Sequence, residues 1–227
     1  MLTLRHKLKF LSHPLKSQIP VYGQAQQKME LIQEKSQARG DSCQTYSIKF
    51  NNHWGTHVDC PAHFFPDGKN VCDYEAEFWH FEHPQIIELD LGSGELVTFE
   101  MIASKISKET DLLLLKSGWS QKRDRLEYSL ENPGIDPDCG LALRKKFPSL
   151  RMIGFDWISI SSYQKREAGR QAHRNFLDPK GEGKPILILE DMDLSDDLAE
   201  LKQIFVIPLR VEGIDSAPCT VLGSFYD

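Results

Sequence analysis

Four side chains able to bind a metal ion or move a proton, His53, His57, Asp59 and His63, fall within the run His-Trp-Gly-Thr-His-Val-Asp-Cys-Pro-Ala-His. In extended chain the side chains repeat every second residue, so these odd-numbered positions share one face and their donor atoms converge. A helix would bring only His53 and His57 together, and Gly55, Thr56 and Pro61 make the run a poor helix. The expectation is therefore a strand running into a turn. A chance cluster of surface histidines is the bland alternative for any one position, but four donors packed so closely argue against it. Imidazole nitrogen and carboxylate oxygen suit a divalent ion such as zinc or manganese better than calcium. Held by His53, His57 and Asp59, such an ion keeps a position open for water and lowers its pKa from about 16 to about 7. His63 is then the catalytic proton shuttle between that hydroxide and the leaving atom, a task suited to an imidazole side chain. These parts describe hydrolysis of an amide, lactam or ester through a tetrahedral intermediate. A non-catalytic small-molecule-binding protein with a structural metal site is the alternative. Structural zinc, however, usually takes four protein ligands and favours thiolate, unlike this set with its carboxylate and spare histidine.

Elements on either side must hold these donors in place. Residues 2–10 alternate apolar and polar as a half-buried strand does, and residues 29–35 read as a second strand. Residues 43–50, with Tyr46, Ile48 and Phe50 on one face, read as the strand that delivers the motif. Beyond it, Phe64 and Phe65 precede the turn signal Pro66-Asp67-Gly68, and Trp54, Phe64, Phe65 and Trp79 are predicted to wall an apolar cleft for a flat or aromatic substrate. His80 and His83 read as exposed histidines rather than ligands. Further strands are expected over residues 85–91, over 111–115 with its four leucines covered on both faces, over 151–155, and over 185–189 with Glu190 at the exit. Thr98 caps a short helix to about residue 106, Asp136 and Pro137 start another that Pro148 closes, and Ser195 caps a last one to about Lys202 with Leu198 and Leu201 inward. Ala172-His173-Arg174 opens a short apolar segment ending at Leu177, and residues 203–209 and 220–226 supply closing strands. Strands outnumber helices without alternating with them, which predicts an α/β fold with a mixed, curved sheet.

A chain of 227 residues supports one substantial core, so a single domain over residues 1–227 is expected. Hydrophobic residues at 40% and charged residues at 26% are those of a soluble globular protein, with no apolar run of about 20 residues to span a membrane. Residues 1–12 lack the uninterrupted apolar core of a secretory leader, which points to the cytoplasm. A net charge of -6, with the basic residues spread out, gives no field for nucleic acid and leaves a small molecule as the expected partner. The 5 cysteines form no Cys-x-x-Cys pair, and Cys60 lies on the opposite parity from the donors, where packing is its expected role.

The pattern His-x-Gly-Thr-His-x-Asp-x-Pro-x-His, followed by Phe64, resembles the signature of the cyclase-like metal-dependent hydrolase family, which includes bacterial kynurenine formamidases and isatin hydrolases. Weaker matches are Leu11-Ser12-His13-Pro14-Leu15, Ser117-Gly118-Trp119, Gly154-Phe155-Asp156 with Ser159, and the segment from Pro208-Leu209 to Pro218. The resemblance implies a barrel-like β core flanked by helices and arylformamidase-like cleavage of a carbon-nitrogen bond other than a peptide bond. It adds His173 and Glu190 as distal metal ligands, with Asp59 bridging two zinc ions as in the formamidases. Isatin hydrolase-like members use a single manganese, so one or two ions are implied. The interval between His173 and Glu190 contains a Gly-rich loop and is longer than usual in the family. A homo-oligomer, dimer or tetramer, with active sites near the interface, is implied as well. The acyl group is not read from these residues.

Overall fold

The structure, a computed structural model, describes residues 6–24 and 28–226. Strands β1 (His6–Phe10), β2 (Glu30–Lys35), β3 (Thr45–Lys49) and β4 (His57–Asp59) come first, followed by β5 (His80–Phe81), β6 (Pro84–Glu88) and β7 (Leu96–Val97). Helix α1 (Phe99–Ile102) leads to β8 (Leu112–Lys116), α2 (Leu126–Leu130), β9 (Gly134–Ile135) and α3 (Pro137–Lys146). The chain ends with β10 (Met152–Phe155), α4 (Arg166–Leu177), β11 (Leu187–Glu190), β12 (Leu201–Pro208) and β13 (Ser216–Tyr226). The part of the expected first strand that precedes His6 lies outside the described residues.

The main sheet runs in the order β5-β12-β13-β4-β11-β10-β8-β6, with β1 added beside β13. Strands β6, β8, β10 and β11 are parallel, whereas β4, β13, β12 and β5 join antiparallel. β5 and β6 stand at opposite ends of this path, yet only Glu82 and His83 separate them in the chain. The sheet must therefore curl until its edges meet, and the mixed sheet forms a nearly closed, barrel-like core.

The run of leucines shows how one sequence serves two layers. Leu113 and Leu115 pack with Ile153, Phe155 and Ile188 against Leu143 of α3 and Ala172 and Phe176 of α4. Their neighbours Leu112 and Leu114 point the other way, into the barrel with Val58, Leu187, Ile204, Val206 and Val221. All four are fully buried, as period-two alternation between two apolar layers requires. Asp136 caps α3 by accepting from the Asp138 amide at 2.9 Å, with Pro137 at the first helical position. Arg144, buried on α3, donates to the carbonyls of Asn175, Asp178 and Gly183 and so ties α3 to the end of α4.

Two expectations are corrected. Residues 195–202 form no helix: the Asp193 carboxylate accepts from the Ser195 amide and hydroxyl, and Asp197 accepts from the Ala199 amide, so side chains take the groups a helix would use. Leu198 is still buried, and Leu201 opens β12 instead. The apolar segment at His173 is the C-terminal half of a longer helix, α4, whose first turns are polar on the outer face. Among the described residues, strands β2 and β3 pair only with each other, and they expose Leu31, Ile32, Tyr46 and Ile48. Among the described residues no helix is long and apolar enough to cross a membrane.

Candidate metal centre

His53, His57, Asp59, His63, His173 and Glu190 all line one cavity of about 370 Å³. β4 supplies His57 and Asp59, and its antiparallel neighbour β11 places Glu190 directly opposite His57. Alternation on β4 points Val58 into the barrel while the flanking donors face the cavity. His53 comes from the turn before β4 and His63 from the short 3-10 turn Pro61–His63 after it, so the expected strand running into a turn is the local structure. His173 reaches the cavity from the buried face of α4.

The donors are spaced as a metal shell is. Atoms bound at about 2.0–2.1 Å to one tetrahedral ion lie roughly 3.3 Å apart. Here His53 Nδ1 and His57 Nε2 stand 3.2 and 3.6 Å from Asp59 Oδ1, and His57 Nε2 is 3.4 Å from Glu190 Oε2. His173 Nε2 is 3.7 Å from Asp59 Oδ2 and 3.8 Å from Glu190 Oε1. These are ion-pair distances without hydrogen-bond alignment: among the described residues, the buried His57 Nε2 and Asp59 Oδ2 have no hydrogen-bond partner. Orphaned buried donors are costly unless something else engages them, and a cation engages both. Backbone carbonyls fix the ring orientation, since His57 Nδ1 donates to Gly55 at 2.8 Å and His173 Nδ1 donates to Gly169 at 2.9 Å. A carbonyl only accepts, so Nδ1 keeps its hydrogen and Nε2 faces the carboxylates, the usual arrangement behind a metal-binding histidine. Gly55 adopts φ of 70°, and a side chain there would press on Leu15.

Burial opposes charge on His57, but Asp59 and Glu190 outweigh it and push its pKa up to about 9 from the usual 6.5. Burial likewise opposes charge on His173, and Asp59 and Glu190 again prevail and raise it. Burial alone would raise the Asp59 carboxyl, but His53, His57 and His173 hold it well below the ordinary range. A divalent ion must therefore displace a proton from His57 at neutral pH. Its affinity is expected to rise about tenfold per pH unit up to about pH 9 from this group, then flatten, in a chelator-competition titration. The stability of the ion-free protein is expected to follow the opposite slope, because a raised histidine stabilises the fold below pH 6.5 and that contribution fades as pH rises through about 9.

The aromatic residues divide. Trp54 lines the cavity, with Ile19, Pro20, Val21, Tyr22 and Ile158 beside it. Phe64 stacks on His173 at 4.8 Å and meets His63 edge-on at 4.9 Å. Phe65 packs against the helix-side core, and Trp79 is buried in the barrel and borders a separate cavity with Tyr74, His80 and Phe205. The wall contributed by residues 19–22 was not foreseen, since nothing in a proline-broken loop marks it as facing the donors. Cys60 is fully buried, and burial together with Asp59 and Asp215 pushes its thiol well up, as suits a packing residue. Gly68 lets the loop carrying His63 close on itself: an added Cβ would lie 2.5 Å from the Pro61 carbonyl carbon and 2.6 Å from the Ala62 nitrogen. Gly68→Ala is therefore expected to cost about 1–3 kcal/mol in denaturant unfolding and to lower turnover by displacing His63, and an unchanged midpoint would refute that packing.

Sequence reasoning missed Asp215. Its Oδ2 accepts from His63 Nδ1 at 2.7 Å, its Oδ1 accepts from Asn52 Nδ2 at 3.1 Å, and His53 Nε2 is 3.9 Å away. The only trace in the chain was the general likeness of the segment leading to Pro218, which singled out no residue there.

Comparison with known proteins agrees with the fold and the motif. The family described as "Putative cyclase" matches residues 10–162, a span that holds the four clustered donors but ends before His173, Glu190 and Asp215. Cyclase-like protein 2 of Oryza sativa subsp. japonica is 25% identical over 213 residues, covering 92% of this chain and 75% of that protein. A kynurenine formamidase of Geobacillus thermodenitrificans is 26% identical over 192 residues, covering 81% of each. Among solved structures, an isatin hydrolase bound to the product analogue thioisatinate superposes with a TM-score of 0.77 at 16% identity, over 98% of this chain and 93% of that one. That likeness establishes the shared fold. With the motif filled and more than half of its length matched, the chain belongs to the cyclase family.

Proposed function

We propose that the protein is a divalent-metal-dependent hydrolase that cleaves an arylformamide-like carbon-nitrogen bond in a small substrate. The observation that carries this reading is the pair of orphaned buried donors, His57 Nε2 and Asp59 Oδ2, inside a cavity that also holds His63. An ion held by His53, His57, Asp59, His173 and Glu190 would supply Lewis acidity to a carbonyl and to a water molecule. Every other part belongs to the chain. His63, a quarter exposed at the cavity, takes a proton from the attacking water and returns it to the leaving nitrogen. Trp54, Tyr22 and Ile158 give the cavity an apolar wall, which grips a compact aryl group and limits access of bulk water. Ser159 and the Ile160 amide donate to Glu190 Oε1 and fix that carboxylate. Asp59 Oδ1 faces His53 and His57 while its Oδ2 faces His173, so this residue would serve one ion or two, and the nitrogen and oxygen donors would suit zinc or manganese. The kynurenine formamidase relative and the motif support the formyl-aryl choice.

The test is turnover of formanilide, N-formylkynurenine, isatin and phenyl acetate by purified protein, before and after chelation. Hydrolysis of the formyl-aryl amides, lost with chelator and restored by zinc or manganese, is expected. Equal turnover by stripped and loaded protein overturns the proposal.

Self-association through the β2–β3 hairpin completes this reading. A two-stranded hairpin alone is marginal in water, and Leu31, Ile32, Tyr46 and Ile48 are each more than half exposed on it. Light scattering is expected to give a dimer or larger, and the double substitution Leu31→Glu with Ile48→Glu to give a monomer.

A further inference from the structure

We propose that Asp215 is a positioning residue that fixes the ring plane and tautomer of His63, so that Nε2 is the nitrogen carrying the lone pair. The inference rests on the role given to His63 above and adds what makes that role possible. It begins with strand register. β13 runs antiparallel to β4 and sets Ser216 opposite Asp59, which carries Asp215 to the start of the turn that bears His63. The Asp215 carbonyl accepts from the Cys60 amide at 2.9 Å, so its backbone is pinned as well.

Both carboxylate oxygens are engaged. Oδ1 accepts from Asn52 Nδ2 at 3.1 Å, while Oδ2 accepts from His63 Nδ1 at 2.7 Å and lies 3.1 Å from the Ser216 hydroxyl. A carboxylate has no hydrogen to donate, so in the neutral imidazole the proton of this pair sits on Nδ1 and Nε2 is left unprotonated. Among the described residues the His63 ring is otherwise bounded by rings rather than hydrogen bonds, with His53 at 4.5 Å, Phe64 at 4.9 Å and His173 at 5.7 Å between centroids. Those contacts confine the ring without choosing its tautomer. A nitrogen of His63 lies within 4.8 Å of donor atoms of Asp59 and His173, so the ring borders the cluster it would serve. The Ser216 hydroxyl adds a link. It stands 2.8 Å from Asp59 Oδ1 and 3.1 Å from Asp215 Oδ2, and its single hydrogen can serve only one at a time. One side chain thus sets the spacing between the carboxylate of the ligand cluster and the carboxylate behind His63.

The first measurement is independent of turnover. Long-range proton-nitrogen spectra of the zinc-loaded protein, at mildly alkaline pH, are expected to show His63 as the Nδ1-protonated tautomer in the wild type and a shift toward Nε2-protonated in Asp215→Asn. An Nε2-protonated wild type overturns the inference. The second measurement is a double-mutant cycle with formanilide. Asp215→Asn is expected to lower kcat by about 10²- to 10⁴-fold with KM within about threefold, zinc content unchanged and folding intact. Combined with His63→Ala it is expected to cost nothing further, because it acts through the ring that is gone. Loss of zinc in Asp215→Asn would make Asp215 a ligand instead and overturn the inference, as would an added loss in the double variant. If His63→Ala keeps wild-type turnover, it is the proton-shuttle reading of His63 that fails, whereas an active Asp215→Asn beside an inactive His63→Ala sinks only the role given to Asp215.

Discussion

Asp59→Asn is expected to abolish stoichiometric metal binding and to lower kcat/KM by at least about 10³-fold. The substitution keeps the size of the side chain and can keep the Ser216 hydroxyl as a partner for one atom, now at 2.8 Å from Asp59 Oδ1. What it cannot keep is charge at the centre of the cluster. Asp59 is 1% exposed and has His53, His57 and His173 within 3.7 Å, so it is the anion around which the imidazoles are grouped. In asparagine one of the two oxygens becomes an amide NH₂, which carries hydrogens and presents no lone pair to a cation. Either His53 and His57 on one side or His173 on the other then loses its shared anionic partner. Elemental analysis of the purified variant together with turnover of formanilide checks this. Retention of a full complement of metal, with kcat/KM within tenfold of wild type, would falsify the assignment of Asp59 to the ion.

Much of the cluster was legible because it is local. Four of its donors share parity over a short stretch: His57 and Asp59 keep that parity on β4, while the turns at either end bring His53 and His63 round to the same cavity. The mixed, curved sheet was legible for a similar reason: Leu112 to Leu115 read as a strand covered on both faces, and they divide between the barrel and the helix layer. His173 and Glu190 came only through likeness to a family, and the structure explains why the residues alone were silent. His173 sits within a helix whose outer face is charged, and Glu190 becomes a neighbour of His57 only through the pairing of β11 with β4. Asp215 was invisible because its separation of 152 positions from His63 is closed by the register of β13 on β4, which no local pattern encodes. Trp79 shows the converse. An aromatic residue near the motif in sequence was expected at the cleft, but the short β5 strand that follows it pairs with β12 and carries it to a different cavity. The helix expected after Ser195 failed on chemistry that was present in the chain, since Asp193 and Asp197 compete for the same amides that a helix would need.

Arg123→Met is expected to lower the free energy of unfolding by about 3–5 kcal/mol, the largest stability loss of any exchange considered. Asp191 follows Glu190 directly, is 3% exposed, and adopts φ of 55°, which non-glycine residues seldom do. Its carboxylate accepts from Arg123 Nε at 2.9 Å and from the guanidinium Nη2 at 2.6 Å, and from the Tyr128 hydroxyl at 2.5 Å. Burial, with Asp191 beside it, pushes the Tyr128 phenol well up, so it stays a neutral donor and cannot replace the missing cation. Methionine fills the stem of the arginine but leaves an anion enclosed without a counter-charge. The damage is not confined to stability, because the Asp191 carbonyl accepts from Thr56 Oγ1 at 2.5 Å and Thr56 immediately precedes His57. The same residue thus anchors the backbones beside two proposed ligands on paired strands. Zinc affinity should therefore fall together with the denaturant midpoint. Adding Asp191→Asn removes the stranded charge and is expected to recover most of the loss, although not the arginine's geometry. A single Arg123→Met variant destabilised by less than about 1 kcal/mol would mean that the Asp191 charge is solvated or neutralised in another way. In that case the strained backbone after Glu190 would need a different support.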